Sequence, residues 1–320
     1  MSKDHIRAIV SDPDFPSYLT IKEVEPPLAQ PWEALVEVHA VSLNRGEVKD
    51  AIDQGASSRL GWDFAGIVTQ PAKTGDGPPA GARVVGLLPL GAWSEQIAAP
   101  VSMLAEIPDE VGFAEAATLP VSGLTALNAL RKGGLLLGKR VLITGSTGGV
   151  GLFAHQLSAL SGAFNVGIAS TEAKAQLVRA AGADEVLVGA SPAVGAKASQ
   201  LGPYDLIIDS VGGEMLAALL PHLAPQGICV AVGFSSSPTA TLDMMNLVTR
   251  GGRTLYGFFL GEELTRTPAA PDLAMLARLV ADKRLTPTIA VQAPWTEVGT
   301  VAQRLMDRTF SGKAVLHVRG

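Results

Sequence analysis

The residues with the clearest chemistry lie in Val141-Leu142-Ile143-Thr144-Gly145-Ser146-Thr147-Gly148-Gly149-Val150-Gly151, an apolar run that opens into a glycine-rich turn. A strand, a glycine turn and a helix in that order let backbone approach a pyrophosphate. The helix N-terminus then offers unpaired N–H groups and the positive end of its dipole. Against the strict G-x-G-x-x-G pattern, Ser146 holds the first position, with Gly148 and Gly151 in the second and third. The turn predicts a dinucleotide site lined by Ser146, Thr147, Gly148, Gly149 and Val150. No Gly-Lys-Ser/Thr follows, which excludes a Walker loop.

The next strand reports on the cofactor. NAD is held by an acidic residue about 20 positions on, which bonds the ribose 2′-hydroxyl. Here the chain reads Ile168-Ala169-Ser170-Thr171-Glu172-Ala173-Lys174. The strand tip carries Ser170 and Thr171, with Lys174 in the first turn of the following helix. Hydroxyls, a cation and a helix N-terminus suit a phosphate, so NADP(H) is the expected cofactor. A solvated Lys174 is the competing reading, and Glu172 keeps NAD open as an alternative.

These residues need a scaffold. After Pro120 apolar runs alternate with helical patterns: strands at 140–144, 163–170, 185–188, 204–209, 227–234 and 254–260, with helices at 122–132, 151–161, 171–181 and 213–223. That alternation predicts an α/β, doubly wound parallel sheet with helices on both faces. Before Pro120 the chain looks mainly β, with strands at 35–41, 65–69 and 83–87 among many prolines and glycines, as in a small barrel or sandwich. The tail predicts helices at 272–283 and 296–308 and a last strand at 314–318.

Composition removes several classes. The 320 residues suit about two domains, and 35 glycines without a Gly-X-Y period exclude collagen. A net charge of −5 with no Lys/Arg cluster argues against nucleic acid. Mean hydropathy is +0.29, yet charges interrupt every long apolar run, so no membrane span is expected. Lys3, Asp4, His5 and Arg7 precede no long apolar region, so the start does not read as a signal peptide. The only cysteine is Cys229, which excludes an internal disulfide. Together these features predict a cytoplasmic protein in a reducing compartment.

Several ordered motifs resemble the medium-chain dehydrogenase/reductase superfamily, in its zinc-independent quinone oxidoreductase-like branch. They are Val41-Ser42-Leu43-Asn44-Arg45-Gly46-Glu47-Val48, Gly61-Trp62-Asp63-Phe64-Ala65-Gly66, Ala116 to Ala126, Asp209-Ser210-Val211-Gly212-Gly213 and Gly312-Lys313-Ala314-Val315-Leu316. The resemblance implies a GroES-like catalytic domain made of residues 1–120 and 261–320. A Rossmann domain over 121–260 would be inserted into it, with the active site in the cleft. It also implies cofactor contacts from Asn44, Thr125, Val150, Val211, Gly233, Phe234, Phe258, Phe259 and Lys313. It further implies a homodimer formed through the edge strand, for which Leu255 to Leu260 is the apolar candidate.

Zinc-dependent relatives carry cysteine where Asn44 stands and Gly-His-Glu where Gly61-Trp62-Asp63 stands, and a catalytic zinc needs three protein ligands of suitable type. Without that Lewis acid the acceptor must be electrophilic itself, as quinones and α,β-unsaturated carbonyls are. The resulting expectation is hydride transfer from NADPH to such a small molecule. Asn44 is the catalytic candidate: its amide either bonds a carbonyl oxygen or the nicotinamide ribose, or caps the next helix. No proton donor is evident among Tyr18, Tyr204 and Tyr256, which leaves solvent. Two other readings stay open: an enoyl-thioester reductase, and an NADPH-binding protein with a structural or RNA-associated role.

Overall fold

The computed structural model describes residues 5–53, 58–191, 193–249 and 251–319. The chain divides into two compact units, one of Met1–Leu124 with Leu264–Gly320 and one of Thr125–Glu263.

In the first unit β1 (Ile6–Ser11) and β2 (Leu19–Val24) form an antiparallel pair. There follow β3 (Glu33–Leu43), α1 (Arg45–Asp53), β4 (Asp63–Gln70), β5 (Arg83–Leu87), β6 (Gln96–Pro100), β7 (Leu104–Glu106) and α2 (Phe113–Ala117). A π-type turn over Leu119–Gly123 leads into α3 (Leu124–Arg131). The expected single helix over 122–132 is thus preceded by a wider coil, in which Pro120 lacks the N–H of a regular turn.

The second unit runs β8 (Arg140–Ile143), α4 (Gly149–Leu160), β9 (Phe164–Ala169), α5 (Glu172–Ala180), β10 (Glu185–Val188), α6 (Ala193–Leu201), β11 (Tyr204–Asp209), α7 (Gly213–Leu219), β12 (Leu223–Ala231), α8 (Met244–Val248), β13 (Thr254–Gly257) and α9 (Leu260–Arg266). All six strands are parallel, in the order β10-β9-β8-β11-β12-β13. This is the doubly wound arrangement, with its reversal of strand order between β8 and β11. Its core is apolar on both faces, with Leu142, Val166, Ile207 and Cys229 fully buried. The expected strand over 254–260 is shorter: β13 stops at Gly257, and Leu260 opens α9.

The chain then returns to the first unit through α10 (Ala269–Ala281), β14 (Ile289–Pro294), α11 (Val298–Met306) and β15 (Lys313–His317). The mixed sheet of that unit has the order β14-β15-β3-β4-β5-β7, with β6 also pairing with β3. It wraps a core that includes Ile9, Val38, Phe64 and Trp93 from the first stretch and Val301, Ala314 and Leu316 from the last. The fold is therefore a Rossmann sheet inserted into a GroES-like β-rich domain.

Candidate active site

In the second unit the glycine turn follows β8, where the order of strands reverses. Gly145 has φ +59, and a Cβ there would lie 2.1 Å from Ser210 Oγ, so only glycine fits. A Cβ on Gly151 would stand 2.4 Å from the Gly145 carbonyl oxygen, so this glycine lets α4 close onto the turn. Gly148 is the N-cap of α4, and the first-turn N–H groups of the helix have no intrahelical acceptor.

Because the strands are parallel, the segments after their C-terminal ends gather at one end of the sheet. The structure brings there Thr147 to Val150 after β8, Ser170 and Thr171 after β9, Val211 after β11, Gly233 and Phe234 after β12, and Phe258 and Phe259 after β13. Ser170, Thr171 and Phe234 are exposed, and Lys174 is half-buried. Phe259 is 71% exposed while Phe258 is 7% exposed, so only one of this pair presents a free face. Thr171 caps α5 by accepting the Lys174 N–H at 3.3 Å. Glu172, the carboxylate that follows the strand tip in sequence, is held by Arg179 at 2.6 Å through one of its oxygens.

Three of the expected residues are buried. Ser146 is fully buried and its hydroxyl is engaged on both sides, so its side chain is not offered to a pyrophosphate. Thr125 is buried near the start of α3. Lys313 belongs to the first unit, opens β15 and is 4% exposed.

There Lys313 joins Asn44, Glu47 and Asp63. The sheet register explains the meeting. β15 opposes β3 with Ala314 beside Leu43, and β3 opposes β4 with Ser42 beside Asp63. The start of β15, the end of β3 and the start of β4 therefore converge. Lys313 Nζ donates to the Leu43 carbonyl at 3.0 Å and to Asn44 Oδ1 at 2.6 Å, and stands 3.6 Å from Asp63 Oδ2. Asn44 Nδ2 donates to Asp63 Oδ2 at 2.8 Å and to Glu47 Oε2 at 3.0 Å. Glu47 also accepts the backbone N–H groups of Asn44 and Trp62, and Asp63 accepts that of Val121 in the π-type turn.

Burial sets the electrostatics. Loss of water raises the Glu47 carboxyl well above the usual range, and the Asp63 charge raises it further, against the pull of Lys313. Burial likewise raises Asp63, opposed first by Lys313. Burial lowers Lys313, opposed by the two carboxylates.

This geometry corrects the expected role of Asn44. Both amide N–H groups are engaged by carboxylates, so none is left for a substrate carbonyl. What Asn44 can still do is accept, at the second lone pair of Oδ1. Nor does its side chain cap α1, since Glu47 instead reaches back to the Asn44 N–H in the manner of half a capping box. Glu47, Asp63 and Lys313 work as one unit, although sequence spacing pairs none of them.

The donor set does not suit zinc. The positions where zinc would need thiolate and imidazole hold an amide and an indole, and the adjacent carboxylate faces an ammonium. Among the described residues no group of three or more His, Cys, Asp or Glu side chains could hold a metal. Cys229 is buried in β12, which pushes its thiol far up.

Comparison with known proteins gives the frame. The family described as alcohol dehydrogenase GroES-like domain matches residues 30–109, and the one described as zinc-binding dehydrogenase matches residues 149–277. The chain is 28% identical over 331 residues to the mitochondrial NAD(P)H oxidoreductase RTN4IP1 of Bos taurus, covering 92% of this chain and 83% of that protein. It is 28% identical over 316 residues to a chloroplast envelope quinone oxidoreductase homolog of Arabidopsis thaliana, covering 92% and 93%. A mycobacterial protein solved in complex with NADPH superposes with a TM-score of 0.87 at 26% identity, covering 98% of this chain and 99% of that one.

The relatives overturn the cytoplasmic expectation, since their names place them in mitochondria and at the chloroplast envelope. A single cysteine reports on redox chemistry and carries no address. Of the N-terminal residues read against a targeting segment, Lys3 and Asp4 lie outside the described residues. No helix among the described residues is long and apolar enough to cross a membrane. With both family matches, the shared fold and the quinone oxidoreductase relatives in place, the chain belongs to the medium-chain dehydrogenase/reductase superfamily, in its quinone oxidoreductase-like branch, and is an oxidoreductase.

Proposed function

We propose that this oxidoreductase reduces a quinone or an α,β-unsaturated carbonyl with NADPH and without a catalytic metal. The observation that carries the reading is the cluster around Asn44, where two carboxylates are answered by an ammonium and no thiolate or imidazole is present. Such a site has no Lewis acid to polarise an unactivated carbonyl. The acceptor must therefore delocalise the incoming charge itself. Asn44 Oδ1 accepts from a hydroxyl of the nicotinamide ribose, and Lys313 holds that oxygen in place.

The turn after β8 holds the pyrophosphate through the first N–H groups of α4. Ser170, Thr171 and Lys174 hold the 2′-phosphate. The Glu172–Arg179 pair favours NADPH over NADH, because that carboxylate is drawn toward its own helix. When bound, the nicotinamide supplies the hydride. The proton comes from solvent. For assembly, we propose a homodimer through β13, which pairs only with β12 among the described residues and exposes Thr254 and Leu255.

The test follows NADPH and NADH oxidation with an ortho-quinone, a simple enone and a crotonyl thioester, before and after chelation, beside the mass in solution. Turnover with the quinone or enone, NADPH preferred, no loss on chelation and a dimer mass are the expected results. Tight NADPH binding without turnover on any acceptor would overturn the enzymatic reading. NADH preference would overturn the cofactor assignment, zinc-restorable loss on chelation the metal-free one, and a monomer mass the assembly.

A further inference from the structure

The glycine turn is held from both sides by hydroxyls. Thr144 and Ser146 flank Gly145, and neither points to solvent. Thr144 Oγ1 donates to Asp209 Oδ1 at 2.7 Å and accepts the Ser210 N–H at 3.0 Å. Ser210 returns a bond from its Oγ to the Thr144 carbonyl at 3.2 Å. Asp209 also accepts the Gly212 N–H at 2.8 Å, so this side ties the turn to the loop after β11 through several bonds.

The other side depends on one hydroxyl. Ser146 Oγ donates to the Ile143 carbonyl at 2.8 Å and accepts the Ile168 N–H at 2.9 Å. The last paired residues of β8 and β9 are Ile143 and Gly167, so the Ile168 N–H lies just past the end of the ladder. The serine side chain takes the place of the missing rung. Two residues further along stands Ser170, and then Thr171 and Lys174.

We propose that Ser146 is a positioning residue for cofactor discrimination. Its hydroxyl sets the distance between the turn, which meets the pyrophosphate, and the β9 tip, which meets the 2′ end of the adenine ribose. This rests on the reading of Ser170, Thr171 and Lys174 as the 2′-phosphate site. Thr144 is its counterpart on the β11 side and serves both cofactors alike, because the pyrophosphate is common to NADPH and NADH.

The two roles separate in binding, without a substrate being known. Kd for NADPH and for NADH is read from nicotinamide fluorescence on the whole chain, for wild type, Ser146→Ala, Ser146→Cys, Thr144→Val and Thr144→Ser, with thermal unfolding of each. Ser146→Ala leaves a buried N–H without its acceptor, and NADPH affinity falls roughly tenfold while NADH affinity moves less than about twofold. Ser146→Cys, a longer and weaker acceptor of similar shape, falls between and supplies the answer if the alanine variant does not fold. Thr144→Val weakens both cofactors by a similar factor, and Thr144→Ser restores both. A Ser146 variant that lowers the unfolding temperature with an unchanged NADPH-to-NADH ratio would overturn the proposal, as would an equal loss for both cofactors. Failure of the underlying reading shows separately, as a wild type that does not favour NADPH before any variant is made.

Discussion

Replacing Lys313 by Met tests whether the Asn44 cluster is a coupled buried unit. The methionine keeps length and apolar stem while removing a cation that donates to Leu43 and Asn44 and lies 3.6 Å from Asp63. It leaves Asp63, 0% exposed, and Glu47, 2% exposed, sharing one amide nitrogen without a counter-charge. Breaking a buried pair from one side costs about 3–5 kcal/mol, much of a typical domain stability of roughly 5–15 kcal/mol. The sign of the pH dependence follows from the carboxyls. Both are already raised in the fold by burial, and losing the ammonium raises them further. A folded-state value above the unfolded one means the folded variant binds more protons, so it gains stability as pH falls and loses it as pH rises. The deficit relative to wild type is therefore largest near pH 8. It shrinks toward pH 5 by up to about 1.4 kcal/mol per pH unit for each carboxyl that takes up a proton. All four tryptophans, Trp32, Trp62, Trp93 and Trp295, lie in the first unit, so urea unfolding followed by their fluorescence reports on that unit. Adding Asp63→Asn to Lys313→Met removes one of the stranded charges and recovers part of the loss. A deficit under about 1 kcal/mol at pH 8, or one that is flat from pH 5 to 8, would refute the reasoning, since the ion pair would then be worth no more than an exposed one.

Two further outcomes follow. His155 in α4 donates from Nδ1 to Asn165 Oδ1 at 2.6 Å, and its buried Nε2 has no partner among the described residues; burial holds it down at about 4 against an unfolded 6.5. Its contribution is complete above pH 6.5 and is lost as pH falls toward 4, by roughly 2 kcal/mol at pH 5, so His155→Gln should flatten that part of the stability curve, and an unchanged slope would count against it. Asn44→Ala removes the one side-chain donor shared by Glu47 and Asp63, so it should lower the stability of the first unit by about 2–4 kcal/mol as well as turnover; lost turnover at unchanged stability would restore a purely substrate-facing amide.

Where apolar runs were short and sharply bounded, the sequence was enough. β5, β10 and β11 stand at 83–87, 185–188 and 204–209 as expected, each closed by glycine, proline or charge. Other elements were hidden by context. β1 begins at Ile6 in a stretch read only for targeting, and β14 lies among the prolines and threonines before Trp295. Neither is an unbroken apolar run or a strict alternation, since Arg7 and Ser11 interrupt one and Gln292 and Pro294 the other, and each is fixed by its partner, β2 for one and β15 for the other. The Asn44 cluster was half visible. Asn44 and Glu47 sit three residues apart at a helix start, but Lys313 is 269 residues from Asn44. A lone lysine before an apolar strand looks like any surface lysine until the register of β15 on β3 turns it inward.

A common physical rule links the two polar sites. Asn44 follows β3, Asp63 opens β4, Lys313 opens β15, Thr144 follows β8 and Asp209 closes β11. Each stands at a strand end, where the ladder runs out and buried backbone groups still need partners. Leu43 gives its carbonyl to Lys313, Val121 its N–H to Asp63, Gly212 its N–H to Asp209 and Ile168 its N–H to Ser146. At strand ends, polar side chains meet backbone groups that the ladder leaves open, and there they complete the sheet. Where such a residue is buried, its polar atoms are thus engaged by the structure before any ligand arrives. That prior engagement is why neither the Asn44 amide nitrogen nor the Ser146 hydroxyl, both read at first as groups free to touch a ligand, has a donor left to offer one.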